Sequence, residues 1–129
     1  MPLKRESSQN TRTLEGFYED LAASSDDVSR SIGLQMLRLL PMLREACGNR
    51  AVWGLTSLTH LWLLAVDDWR SRWLVRITAF PGNGFRVSFR MPDADAPWPD
   101  AMVDGEARDE RHACELTLIA MRESGGWAP

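Results

Sequence analysis

The chain has no apolar run able to cross a bilayer: its longest, Leu61–Val66, covers six residues, against the roughly 20 that a membrane helix needs. The opening stretch MPLKRESSQNTRT is polar throughout, so no secretion signal is expected and the protein reads as soluble. Cysteine is scarce. Cys47 and Cys114 lie far apart with no CxxC spacing, which excludes a disulfide scaffold and fits two reduced thiols in a cytoplasmic protein. Histidine is limited to His60 and His112. No GxSxG, HExxH, P-loop or kinase pattern occurs, so no nucleophile, zinc ligand pair or phosphate cradle is announced, and no cofactor is expected. Lysine is nearly missing, Lys4 being the only one.

What is present is arginine, tryptophan and an uneven charge layout. The 129 residues carry six tryptophans and a net charge of −3. Residues 1–50 balance seven bases against seven acids, residues 51–91 set five arginines against Asp67 and Asp68, and residues 92–129 set three arginines against nine acids. An arginine-rich middle is thus followed by an acidic end. The acidic total speaks against nucleic acid, whose partners carry strongly basic surfaces.

Periodicity organises the chain into a polar arm, residues 1–12, expected to be disordered, and a single α+β domain, residues 13–129. Leu14, Phe17, Tyr18 and Leu21 recur at helical spacing. Asp27 to Leu40 reads as a second helix after the capping run SerSerAspAsp, with Pro41 kinking or restarting it and Gly48 closing it. Val, Thr, Trp and Leu then dominate, and strands are expected near 51–57, 59–66, 72–80 and 85–91, the first two separable only weakly. Residues 92–104 read as a Pro- and Asp-rich connection, and Asp104 as the cap of a last helix over 106–123. The expected architecture is two-layer: an antiparallel meander of three to four strands, with two N-terminal helices and one C-terminal helix on one sheet face.

Parity sharpens the last hairpin. Trp73, Val75, Ile77 and Ala79 alternate on one arm, and Phe85, Val87, Phe89 and Met91 on the other. Both sets are odd-numbered, so direct pairs must sum to an even number and the loop must have odd length. A three-residue loop, Gly82–Gly84 with Gly84 left-handed, meets that condition. The even-numbered face then carries Arg70, Arg72, Leu74, Arg76, Thr78, Phe80, Arg86, Ser88 and Arg90. The neighbouring strand adds either Leu61, Leu63 and Ala65 or Trp62, Leu64 and Val66 beside His60.

Two readings of that face compete. It is a solvated surface whose arginines are neutralised by Asp93, Asp95 and Asp100. Or it binds a protein partner or a second copy of the chain, since Arg and aromatic residues are enriched at interface cores and Lys is depleted. In the binding reading Arg76, Arg86 and Arg90 grip carboxylates, Phe80 and Leu74 supply apolar contact, and Trp98 forms the rim. Trp98 has a second reading as a plug at the core edge, which its large area favours.

Small bacterial accessory, chaperone and toxin-immunity proteins share this size and shape, which carries no function by itself. The function expected is therefore non-enzymatic binding of a macromolecule by the sheet face, in an immunity-like or chaperone-like accessory role. The alternative is a small-molecule or enzymatic pocket between sheet and helices near His60, using His112 or Glu115. His112 and Glu115 share a helix face, but two groups fall short of the three or four a metal site requires.

Overall fold

The structure, a computed structural model, describes residues 3–9 and 11–127. It is α+β, with three helices and one six-stranded mixed sheet. Helix α1 (Leu14–Ala22) starts where Thr13 Oγ1 accepts the Gly16 N–H, and α2 (Asp27–Cys47) where Asp26 accepts from Ser29. These bonds satisfy orphan donors of the first turn. Helix α2 runs through Pro41 as one element. Helix α3 (Glu110–Glu123) is capped by Asp109, whose side chain accepts from His112 N–H.

The sheet follows chain order: β1 (Lys4–Arg5), β2 (Trp53–Ser57), β3 (His60–Leu64), β4 (Val75–Ala79), β5 (Phe85–Arg90) and β6 (Met102–Ala107). β1 pairs in parallel with β2, and all other pairs are antiparallel. The expected three to four strands become six, for three local reasons. Leu58, with φ 55°, makes the turn that separates β2 from β3, a position where turn chemistry favours Gly or Asn and a leucine gives no signal. β6, MetValAspGlyGluAla, lies where a connection and a helix start were expected. Its Asp, Gly and Glu depress strand propensity, and pairing with β5 decides the outcome. That moves the helix start from Asp104 to Asp109. Last, the described part of the arm expected to be disordered holds β1 and a short 3-10 turn at Ser7–Gln9. Leu3 there is buried, and Lys4 and Glu6 donate their N–H groups to Val52 and Gly54 carbonyls at 2.9 Å.

The three helices cover one sheet face. Met36, Leu39, Leu40 and Leu43 of α2 share a core with Leu61, Leu63, Val75, Ile77, Phe85 and Val87 of the sheet, and with Ala113, Ala120 and Met121 of α3. The odd-numbered register of the β4–β5 hairpin is as expected, Val75 pairing with Phe89 and Ala79 with Phe85. The loop is odd but sits one residue earlier, Phe80 N–H bonding Gly84 carbonyl across Pro81–Asn83. Gly84 has φ 87°, a conformation costly for any residue with a Cβ. Ser31 and Gln35 of α2 pin this loop: Ser31 Oγ accepts from Gly82 N–H at 2.7 Å, and Gln35 Nε2 donates to Gly84 carbonyl at 3.1 Å.

Candidate partner-binding face

The face turned away from the helices is ordered by the strand register into three rows. The first runs Ser57, His60, Thr78, Arg86, Glu106. The second runs Leu55, Trp62, Arg76, Ser88, Asp104. The third has Trp53 beside Leu64 at one end and Arg90 beside Met102 at the other. Of the two sets open for β3, the one presented is Trp62 and Leu64 beside His60.

Between Leu64 and Arg90 the alternation breaks. Leu74 packs against the helical core with its Cδ1 close to Gly126, and Trp73 turns to the arginine face instead. There Trp73 meets Trp62, ring centroids 5.3 Å apart, and lies under the guanidinium groups of Arg90 at 4.4 Å and Arg76 at 5.5 Å. Cations this close to an indole face are attracted by its quadrupole. Leu74 is thus displaced from the proposed contact set, and Trp73, expected on the core side, takes its place. The two side chains precede β4, so the strict period of the strand does not hold for them.

The arginines differ in what they already hold. Arg72 pairs with Asp93 at 3.1 Å and Asp100 at 2.6 Å. Arg90 pairs with Asp100 at 2.8 Å and donates to Trp73 carbonyl at 3.1 Å. Arg86 lies over Phe80 at 5.3 Å and reaches Glu106 at 3.4 Å. Asp93 and Asp100 thus fold back onto the sheet, as the acidic loop suggested. Arg76 makes no ion pair or side-chain hydrogen bond among the described residues, and its Nε is buried without a partner. Two further polar atoms of the same row are also buried and unpartnered: Trp62 Nε1 and Ser88 Oγ. Native structures pair nearly all such groups, and three of the seven found among the described residues fall in this one row.

His60 borders this cluster. Its Nδ1 lies 2.8 Å from Thr78 Oγ1. Burial first, and the nearby Arg76 charge second, hold its pKa below the ordinary histidine value. His60 therefore sits on the open face and not between sheet and helices. His112 and Glu115 line a shallow surface depression with Arg108, Asp109 and Arg111. No cluster of three or more metal-ligating side chains exists among the described residues. Cys47 and Cys114 are buried free thiols, and burial pushes Cys114 up to about 11, so neither has the lowered pKa of a nucleophilic cysteine.

Trp98 is 66% exposed, which overturns its reading as a core plug. Its loop is tied down by the Arg72 and Arg90 pairs with Asp100. Trp98, Arg72 and Asp93 line an open depression beside the face.

Of the residues expected to bind, Arg76, Arg86, Arg90 and Phe80 do lie together, Trp98 flanks them and Leu74 is elsewhere. Trp73 is the residue that sequence reasoning missed, because strand parity was extended beyond the strand. No helix of the described residues is long and apolar enough to cross a membrane. Compared with known protein families, characterised proteins and solved structures, the chain matches none.

Proposed function

We propose that this protein is a small non-enzymatic binding module. Its open sheet face docks an acidic macromolecular partner, a different protein or a second copy, in the cytoplasm and in an immunity-like or chaperone-like accessory role. The observation that carries the reading is Arg76. It is the arginine of this face with no carboxylate among the described residues, and it lies over the Trp73 indole, itself in contact with Trp62, in a row with buried unpartnered polar atoms. A partner carboxylate seated on it would complete a bidentate pair in a desolvated aromatic setting, where Arg outperforms Lys. Trp62 and Trp73 would supply the apolar anchor, and Arg86, Arg90, Phe80 and Trp98 the surround that excludes water.

The test compares wild type with Arg76→Glu, Trp62→Ala and the distant Arg108→Glu by light scattering and affinity capture. Truncating one partner of a buried interface charge pair costs about 2–5 kcal/mol. The bound partner, or the doubled mass, is therefore lost from Arg76→Glu and Trp62→Ala and kept by Arg108→Glu. Equal capture and equal mass across all four folded proteins overturns the reading.

A further inference from the structure

The two edges of the sheet are treated differently. On the β1 side the N-terminal arm covers the outward backbone of β2. Lys4 and Glu6 serve Val52 and Gly54. Beyond them the Gln9 side chain serves Thr56: its Nε2 donates to the Thr56 carbonyl at 2.9 Å, and its Oε1 accepts the Thr56 N–H at 2.9 Å. At the β6 edge nothing among the described residues does this. Met91 N–H bonds Ala101 carbonyl, which places the odd residues Val103, Gly105 and Ala107 at the positions bonded to β5. In an antiparallel ladder the alternate residues then turn their N–H and C=O groups outward. These are Met102, Asp104 and Glu106.

Beside this bare edge lies an apolar groove. Val87, Phe89 and Val103 form its floor, and Leu116, Ile119 and Ala120 of α3 form its wall, enclosing about 140 Å³. A cavity of about 150 Å³ accepts a molecule the size of benzene. Val103 and Ile119 are both exposed at its mouth. Acidic residues alone would blunt an edge against pairing, but they leave the adjoining groove without a purpose.

We propose that the β6 edge and this groove form a second docking site, for an extended segment of another protein that alternates Lys or Arg with aliphatic residues. Such a segment adds a seventh strand by bonding the outward groups of Met102, Asp104 and Glu106. Its residues on the helical side reach the groove. Those on the other side meet Asp104, which has no ion pair among the described residues, and Glu106, which holds Arg86 only at 3.4 Å. Opposite charges directly across a strand pair are stabilising and like charges are not. The same rule disfavours a second copy, because antiparallel pairing of two β6 strands sets the Asp104 and Glu106 carboxylates of one against those of the other.

The probe is a blocked seven-residue peptide alternating lysine and valine, with a glutamate–valine peptide as its counterpart. Amide hydrogen exchange of the full chain is followed by NMR. At millimolar lysine–valine peptide, the Asp104 and Glu106 amides exchange at least tenfold more slowly, while the glutamate–valine peptide has no effect. Asp104→Pro, which removes an outward N–H and no bond to β5, weakens peptide binding at least tenfold, as does Ile119→Glu. Asp104→Lys keeps the edge and lowers the preference for the lysine peptide, so the proposal stays testable if the proline variant fails to fold. Unchanged exchange at these two amides, equal effects of both peptides, or a doubled mass that Asp104→Pro abolishes and Arg76→Glu keeps would each overturn it.

Discussion

His60 is the side chain on which burial and a neighbouring charge act in the same direction, both against protonation. A base whose folded pKa lies below its unfolded value, about 6.5, binds more protons in the unfolded chain. Stability then rises with pH across the interval between the two values and is lost as pH falls from about 6.5 through the folded pKa. His60→Gln should flatten that part of the profile, measured as urea midpoints at pH 7.5 and 5.5. A wild type and variant that lose the same stability over this interval would show that His60 does not set the slope. Binding should weaken over the same interval if the partner covers His60, because a second positive charge beside Arg76 must then be desolvated. How far the site could be read at this scale depends on the residue. Parity placed Arg76, Arg86 and Arg90 on one face, because a strand has only two faces. Which of the three lacks a carboxylate depended on where the 92–101 loop returns: Asp93, Asp95 and Asp100 were all expected to fold back, and nothing in the sequence singles out Asp100, at φ 62°, as the bridge between Arg72 and Arg90.

Helices α1 and α2 meet backbone to backbone at Gly33. A Cβ at Gly33 would stand 2.4 Å from Ala22 N and 2.6 Å from Tyr18 O, both backbone atoms that cannot turn aside. Gly33→Ala should therefore force the helices apart and destabilise by about 1–3 kcal/mol, despite the better helix propensity of alanine. A lower urea midpoint at unchanged slope is the expected observation, and an unchanged midpoint would show that the crossing can relax. Elements were legible in the sequence where one period ran long enough. α2 shows it over twenty-one residues, and the β4–β5 hairpin shows it on both arms. They were not legible where tertiary pairing overrode composition. β6 has the residues of a turn and the position of a strand, and it exists because β5 offers it a ladder. Trp73 and Leu74 failed for the opposite reason, a local rule applied one step past the strand that obeys it.

At the scale of the whole molecule the sheet is a ribbon with one closed and one open side. The closure rests on the arm: Leu3 in the core, the backbone bonds of Lys4 and Glu6, the amide of Gln9 lying along Thr56, and the side-chain ties of Arg5 to Thr56, Ser7 to Asp67 and Glu6 to Trp69 N–H. A chain clipped after Gln9 would lose all of them while keeping α1, α2 and most of the core. It would then carry a bare rim at each end of the sheet, and the β2 rim of one copy is free to pair with the β6 rim of the next. Contacts of that head-to-tail kind do not saturate; they propagate. The clipped chain should scatter light increasingly with time and concentration where the intact one does not, and a clipped chain that stays monomeric would show that the arm is dispensable. A protease acting within the first nine residues would thus convert a discrete molecule into a monomer for open-ended growth.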